Sequence, residues 1–432
     1  MKRYAMQELM DWKNRPDRIP LIIRGARQVG KTWLTKEFGK REFSSVAYIN
    51  FDNNERMESL FRGNYDIDRL VAGLQIESGV SICSKNTLLI FDEIQEVPRA
   101  IASLKYFREN ASEYSIIAAG SLLGVALHEG TSFPVGKVDF MDLYPMSYLE
   151  FLEAMGKEDL VKLLNAGDWE LICAFKSTYI DLLKQYYFIG GMPEAVNAFV
   201  TRKDYNEVRR IQNRLLVSYE QDFSKHAPNE SVPRIRMLWD SVPAQLAKEN
   251  KKFIYGLIRQ GARAKEFELA MQWLLDCRLI YKTNRIVKPG MPLAAYQDNG
   301  FKLYLLDVGL LAAKSNLDVK SLLEGNKIFE EFKGALTEQY VHQQLIASLD
   351  IRLHYWSTQK GMAEVDFVFQ QGADVIPLEV KAEENLKARS LKSYVEKYSP
   401  LFAIRTSMSD YRKEDWLTNM PLYAIGVVNK LL

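Results

Sequence analysis

Residues Pro20–Phe38, PLIIRGARQVGKTWLTKEF, read as a strand, a glycine loop and a helix. Leu21, Ile22 and Ile23 make a short uninterrupted apolar run, the pattern of a strand buried on both faces. The loop from Gly25 to Thr32 fits GxxxxGK[ST]. A loop of this kind turns successive backbone N–H groups inward, and the helix that follows points its positive end at the same spot. Gly25 and Gly30 keep side chains out of the space a phosphate needs. Ala26, Arg27, Gln28, Val29 and Trp33 contribute main chain to the same cradle. Lys31 is expected to reach the β- and γ-phosphates as a point charge, and Thr32 to ligate Mg²⁺.

Outward from that loop, Thr87–Phe91 is a second buried strand that ends abruptly in Asp92-Glu93. Adjacent carboxylates at the end of an apolar strand are costly unless a cation or a ligand uses them. Asp92 is placed to hold Mg²⁺, and Glu93 to polarise an attacking water as general base. Alone, such a pair also suits a helix N-cap followed by a first-turn acid. Its position about 60 residues beyond a phosphate loop favours the nucleotide reading. SIIAAGS, Ser115–Ser121, reads as a third buried strand ending in small residues, with Ser121 where P-loop ATPases place a polar γ-phosphate sensor; a plain serine in a turn is the competing reading.

With these segments in place the chain resembles a known family, the prokaryotic AAA+-like ATPases that carry a C-terminal domain of unknown function. The carriers are GARQVGKT at 25–32, LLIFDEIQEVP at 88–98, AAGSLLG at 118–124 and LYPMSYLEF at 143–151, then FIGGMPEAV at 188–196, FKLYLLDVGLL at 301–311 and AEVDFVF at 363–369. The resemblance implies ATP and Mg²⁺ as cofactors. It also implies a helical lid beside the nucleotide. The family commonly has Gly-Arg before the LYP segment, whereas this chain has Gly136-Lys137. If that position senses phosphate, Lys137 supplies charge without a bidentate fork, and Arg27 or Arg99 is the substitute.

Ser147 to about Lys225 shows helical periodicity, broken at Gly190-Gly191-Met192-Pro193. Between Arg234 and Lys288 there are 12 basic and 5 acidic residues. Two helices and then a strand pair, Leu279–Thr283 with Phe301–Leu305, resemble a winged helix. Lys265–Cys277 would be its recognition helix, with Arg259, Arg263 and Lys265 near its start. Phosphate contacts from such residues would be sequence-independent and salt-sensitive. A solvated face, or a protein partner, fits the same charge run.

Further on, Glu338 lies in a helical stretch, Asp366 in the strand EVDFVF, and Glu379 and Lys381 two residues apart at the end of VIPLEVKA, hence on one face. A helix Glu, a strand Asp and Glu-x-Lys resemble the PD-(D/E)xK nuclease core. In that core Glu338, Asp366 and Glu379 would hold Mg²⁺ and Lys381 would assist catalysis. The proline usual before the aspartate is absent; Val365 stands there.

The fold expected is therefore α/β: a P-loop NTPase (AAA+-like) core at 1–146, a helical lid at 147–228, a winged-helix-like region at 229–325 and a PD-(D/E)xK nuclease-like domain at 326–432. Length suits several domains, and 47% apolar with 26% charged residues is a globular balance. The net charge of +2 names no partner. Cys83, Cys173 and Cys277 make no metal-ligand spacing, suit a reducing compartment and are expected to be buried. No signal-like or membrane-length apolar run occurs, so the expectation is a cytoplasmic protein. Three functions compete: an Mg-ATPase driving the C-terminal domains, a nucleotide-dependent switch that binds nucleic acid or protein without cutting, and a scaffold with a vestigial loop. DNA, through 234–288 and the C-terminal domain, a protein partner and self-assembly all stay open.

Overall fold

The computed structural model describes residues 1–121, 124, 133–248, 251–324, 330–349, 351–358, 363–384 and 388–432. Leu122 and Leu123 of the AAGSLLG segment lie outside the described residues. Two units are present, Lys2–Tyr144 with Asp276–Arg278, and Pro145–Leu275 with Leu279–Leu432.

In the first unit the apolar runs become central strands. Helix α1 (Ala5–Asn14) is followed by β1 (Leu21–Arg24), α2 (Lys31–Glu42), β2 (Ser45–Asn50), α3 (Glu55–Arg62) and α4 (Ile67–Ser78). Next come β3 (Thr87–Asp92), α5 (Pro98–Asn110), β4 (Ser115–Ala119) and β5 (Asp139–Asp142). Asn54 and Asp66 cap α3 and α4 by accepting from Met57 N and Arg69 N, and Pro98 opens α5, where its missing N–H costs nothing. The strand order is β2-β3-β4-β1-β5 and every pairing is parallel. β3 and β4 are buried along their whole length, as parallel strands with covered faces must be. Ile49, Phe51, Phe91 and Phe107 pack in one aromatic-rich core, with Phe51 and Phe91 edge to face at 5.4 Å. Because all strands run the same way, the loops after β1, β3 and β4 emerge at one edge.

The second unit begins with helices. They are α6 (Tyr148–Ala154), α7 (Glu158–Ala166), α8 (Trp169–Ala174), α9 (Lys176–Ile189), α10 (Pro193–Arg202), α11 (Tyr205–His226), α12 (Val232–Leu246) and α13 (Ala264–Asp276). Ser147 and Glu150 form a capping box on α6. The remainder is β6 (Ile280–Ile286), β7 (Gln297–Leu305), α14 (Val308–Lys314), α15 (Val319–Glu324), α16 (Glu330–Ser348), β8 (His354–Ser357), β9 (Glu364–Gln371), β10 (Asp374–Val380), α17 (Arg389–Tyr398), β11 (Ala403–Ser407), β12 (Arg412–Lys413) and β13 (Leu417–Pro421). The expected hairpin is present, with Ile280 opposite Leu305 and Thr283 opposite Lys302. It is not a separate wing, however. β6 also pairs in parallel with β8, so one sheet runs β12-β13-β11-β10-β9-β8-β6-β7 across the expected boundary at 325/326.

Three of the segments that resemble the family meet within this unit. Met146 N donates to Gly191 O at 2.7 Å and Tyr186 OH to Met146 O at 2.5 Å. Gly191 N and Gln343 Nε2 donate to Asp307 Oδ2 at 2.6 and 3.1 Å, while Asp307 Oδ1 caps α14 through Leu310 N. Gln344 Oε1 accepts from Tyr148 N at 2.7 Å. Thus LYPMS, GGMP and LLDVG make one buried polar junction braced by α16. Gly190 has φ +73°, and a Cβ there would meet Asp307 Oδ1 at 2.1 Å. Gly190→Ala is therefore expected to cost about 2–4 kcal/mol, read as a lower denaturation midpoint of the full chain. An unchanged midpoint would contradict this junction.

Candidate functional site

Three loops at the carboxyl edge of the parallel sheet bring the nucleotide candidates together. Between β1 and α2 the chain needs positive φ at Gly25 (+151°), Gln28 (+67°) and Gly30 (+97°). A Cβ on Gly25 would lie 2.4 Å from Leu143 O, so only glycine lets the loop start this close to the strand exit after β5. Arg3 fixes the loop from another side, donating to Val29 O at 2.9 Å and Tyr144 O at 2.6 Å. Ala26 and Val29 are buried, Arg27 is half-buried, and Gln28 and Trp33 are exposed. Helix α2 has no side-chain cap at Gly30, which leaves its first N–H groups available to an anion.

Lys31 is buried and donates to Gly25 O at 2.8 Å and Ala26 O at 2.9 Å. Burial pushes its ammonium down to about 8, against the pull of Glu93 and Asp92 and with a push from Arg27. Across the sheet, Asp92 Oδ2 accepts from Thr32 Oγ1 at 2.7 Å and from Tyr48 OH at 2.8 Å. Asp92 Oδ1 is buried with no hydrogen-bond partner among the described residues. A buried carboxylate oxygen without a donor is costly, and it is what a hard divalent cation would use beside a threonine hydroxyl. Mg²⁺ fits this pair of side chains.

Glu93 follows with φ +50°, a left-handed conformation rare outside glycine. Its Oε2 accepts from Gln95 Nε2 at 2.7 Å and from Ser121 N and Oγ, both at 3.3 Å. Ser121 thus stands beside the acid rather than apart from it.

Lys137 is not brought to the loop. It precedes β5, whose Asp139 pairs with Leu21 at the start of β1, so it lies at the amino edge of the sheet, opposite the phosphate loop. Its ammonium pairs with Glu109 at 3.0 Å. Arg99 donates to Phe61 O and Gly63 O. Tyr48 and Arg3 carried no sequence signal: each is remote in sequence from the loop and joins it only through strand pairing or a chain crossing.

In the second unit the four C-terminal residues sit close together, but not as a metal centre. The Lys302 side chain, fully buried on β7, lies 2.9 Å from Glu338 Oε1, 2.6 Å from Glu364 Oε1 and 3.8 Å from Asp366 Oδ1. Glu338 also accepts from Tyr304 OH and Lys251 Nζ. Burial alone would lower the Lys302 ammonium; Glu338, Glu364 and Asp366 outweigh it and hold it well above the usual lysine range. Burial likewise would raise Glu338, but Lys251 and Lys302 hold it well below the usual carboxylate range. Glu364 is pushed up to about 7, by burial first and then by Asp366 and Glu338.

Of the expected metal set Glu338, Asp366 and Glu379, Glu338 is already served by one ammonium with a second beside it. Among the described residues no three His, Cys, Asp or Glu side chains are grouped to hold a metal ion. Asp366 accepts from Val380 N at 2.8 Å, and Glu379 pairs with Lys381 at 2.6 Å, as two residues on one face do. Glu379 Oε2 is buried without a partner.

The basic excess is partly spent on internal pairs, Arg259 with Glu266, Arg285 with Asp298 and Lys251 with Glu338, while Arg234, Arg263 and Lys265 are exposed. Cys277 is buried, but Cys83 is exposed and Cys173 partly so, contrary to the uniform burial expected. Among the described residues no helix is long and apolar enough to cross a membrane.

Comparison with known proteins agrees with the first unit. Residues 17–152 match a family described as an AAA domain. Residues 180–321 and 333–425 match two domains of unknown function (DUF8612 and DUF4143). No curated protein matches the chain. Among solved structures, the Walker-type ATPase PABY2304 of Pyrococcus abyssi is similar at 15% identity, over 73% of this chain and 95% of that one, with a TM-score of 0.45. The Aeropyrum pernix ORC1 protein, solved in complex with DNA, is 14% identical over 72% of this chain and 90% of that one, with a TM-score of 0.26. Cdc6p of Pyrobaculum aerophilum is 10% identical over 74% and 93%, with a TM-score of 0.25. At such scores the likeness specifies neither ligand nor partner. Over residues 17–152 the chain is thus similar to an AAA domain, in line with the parallel sheet and glycine loop described above.

Breaking a buried ion pair by removing one partner costs about 3–5 kcal/mol. Lys302→Met should lower the denaturation midpoint of the full chain accordingly, and adding Glu338→Gln should recover part of the loss. A single variant as stable as its parent would show that the cluster is not held by this ammonium.

Proposed function

We propose that the chain binds and hydrolyses ATP with Mg²⁺ at Lys31, Thr32, Asp92 and Glu93, and that nucleotide state governs the C-terminal modules. The observation that carries this reading is the buried, partnerless Asp92 Oδ1 beside the Thr32 hydroxyl, next to a glycine loop with uncapped helix N–H groups. Gly25, Ala26, Arg27, Gln28, Val29, Gly30 and Trp33 supply the main-chain cradle, and Lys31 the ammonium for the β- and γ-phosphates. Thr32 and Asp92 would hold the cation, which would neutralise phosphate charge. Glu93 is the base for the attacking water. Its carboxylate is oriented by Gln95 and Ser121, so Ser121 acts on the γ-phosphate position through Glu93.

The domain division is proposed in the same sense, as regions along the chain: core at 1–146, lid at 147–228, winged-helix-like region at 229–325 and nuclease-like domain at 326–432, the last two sharing one sheet. Support for a nuclease-like arrangement comes from the order α16-β8-β9-β10-α17-β11, with three antiparallel strands and a fourth parallel to β10. Asp366 and Glu379 lie on adjoining strands of that arrangement. Against cleavage stands Lys302, which takes Glu338 out of the acidic set. A binding switch is thus the favoured second reading, with DNA as the first partner to test because Arg263 and Lys265 are exposed at the start of α13. A protein partner is the alternative.

Glu93→Gln is expected to lower ATP turnover by about 100-fold or more while Mg-ATP still binds. Low-salt DNA should raise wild-type turnover; if it does not, the partner is a protein. Wild-type turnover no faster than that of Glu93→Gln would contradict the hydrolytic reading.

A further inference from the structure

We propose that Tyr48 is a positioning residue for the cation site: its hydroxyl holds Asp92 Oδ2, so that Asp92 keeps Oδ1 available to the ion that the Thr32 hydroxyl would also serve. This deepens, and rests on, the Mg-nucleotide reading above.

The geometry is specific. β2 and β3 pair in parallel with Tyr48 opposite Ile90 and Asn50 opposite Asp92, so Tyr48, Asn50 and Asp92 share one face of the sheet. Asn50 is the nearer neighbour, but its Oδ1 accepts from Asp52 N. The aromatic side chain of Tyr48 spans the diagonal instead, and its OH reaches Asp92 Oδ2 at 2.8 Å.

A carboxylate oxygen accepts two hydrogen bonds comfortably. Oδ2 has two, from Thr32 at 2.7 Å and from Tyr48, whereas Oδ1 is buried and has none. The two donors differ in their duties. A Thr32 hydroxyl can serve a cation with its lone pairs and still donate its one hydrogen to Asp92, but its position is then shared with the ion; Tyr48, which has no such second duty, is the donor that stops the carboxylate from rotating.

Tyr48 is itself held. Lys36 Nζ, one turn into α2 from Thr32, sits 3.4 Å from the centre of its ring. The ring is therefore pinned between β2 and the helix that begins the phosphate loop. Hydrogen bonds to ionised groups are roughly twice as strong as neutral ones. Loss of such an outer partner of a metal-binding carboxylate typically costs 10–100-fold in metal affinity.

The test uses the full chain, wild type and Tyr48→Phe, with a non-hydrolysable ATP analogue and Mn²⁺ as the paramagnetic probe. Electron spin resonance measures Mn²⁺ affinity of the protein–nucleotide complex; nucleotide affinity in EDTA and the thermal midpoint are measured alongside. The expected result is Mn²⁺ affinity weakened about 10-fold or more, with EDTA affinity and midpoint unchanged. Equal Mn²⁺ affinities overturn the assignment. So does an equal loss of nucleotide affinity in EDTA, or a lowered midpoint with Mn²⁺ affinity intact, since either means that Tyr48 is merely structural. A wild-type chain that binds no nucleotide in either condition would sink the Mg-nucleotide reading as well, and is thereby told apart from a failure of Tyr48 alone.

Discussion

The insertion of β4 between β1 and β3 sets the distance across which the first unit must work. Two inter-strand steps separate the glycine loop from the acidic strand, about 9–10 Å of sheet. That span is closed by side chains: Thr32 reaches Asp92 at 2.7 Å, and Ser121, on the loop after the intervening strand, reaches Glu93. The parallel direction of every strand then collects the three loops at one edge. The glycine requirement at Gly25 and the Arg3 brace come from packing the loop against the strand exit after β5 at that edge, and Glu93 takes a left-handed φ where β3 ends.

The two units handle buried carboxylates in opposite ways. In the first, Asp92 keeps one oxygen without a donor, an arrangement that has a physical justification only if a cation completes it. In the second, Glu338, Glu364 and Asp366 surround the Lys302 ammonium, and Lys251 adds a second positive charge. A divalent ion beside these lysines would meet repulsion at short range and would have to displace a buried pair. The same residue type is therefore offered to a cation in the proposed site and closed by lysines in the other. Only the neighbours decide which.

This contrast explains what was legible beforehand. The phosphate loop and the Asp92-Glu93 pair are short, local patterns set on buried strands, and the hairpin at 280–305 follows from alternation across turn residues; such features need no knowledge of pairing order. Lys137 is different, because its position depends on which end of β5 meets β1. Tyr48 is invisible without the β2–β3 register. Lys302 and Tyr304, 36 and 34 residues from Glu338, read as ordinary alternation in a strand until β7 is placed against α16. The joining of β6 to β8 likewise depends on sheet order, which periodicity does not encode. The motifs GGMP and LLDVG, chemically mute in the sequence, acquire a cause in the Asp307 junction.

The central claim is that main-chain amides between Gly25 and Trp33, with Lys31, enclose a triphosphate. Hydrogen–deuterium exchange of the full chain with and without a non-hydrolysable Mg-ATP analogue tests it most directly. The account predicts slowed exchange in peptides covering Gly25–Trp33 and the end of β3, and none around Lys137. Unchanged exchange at the loop under saturating nucleotide, or protection centred on Lys137 instead, would contradict it.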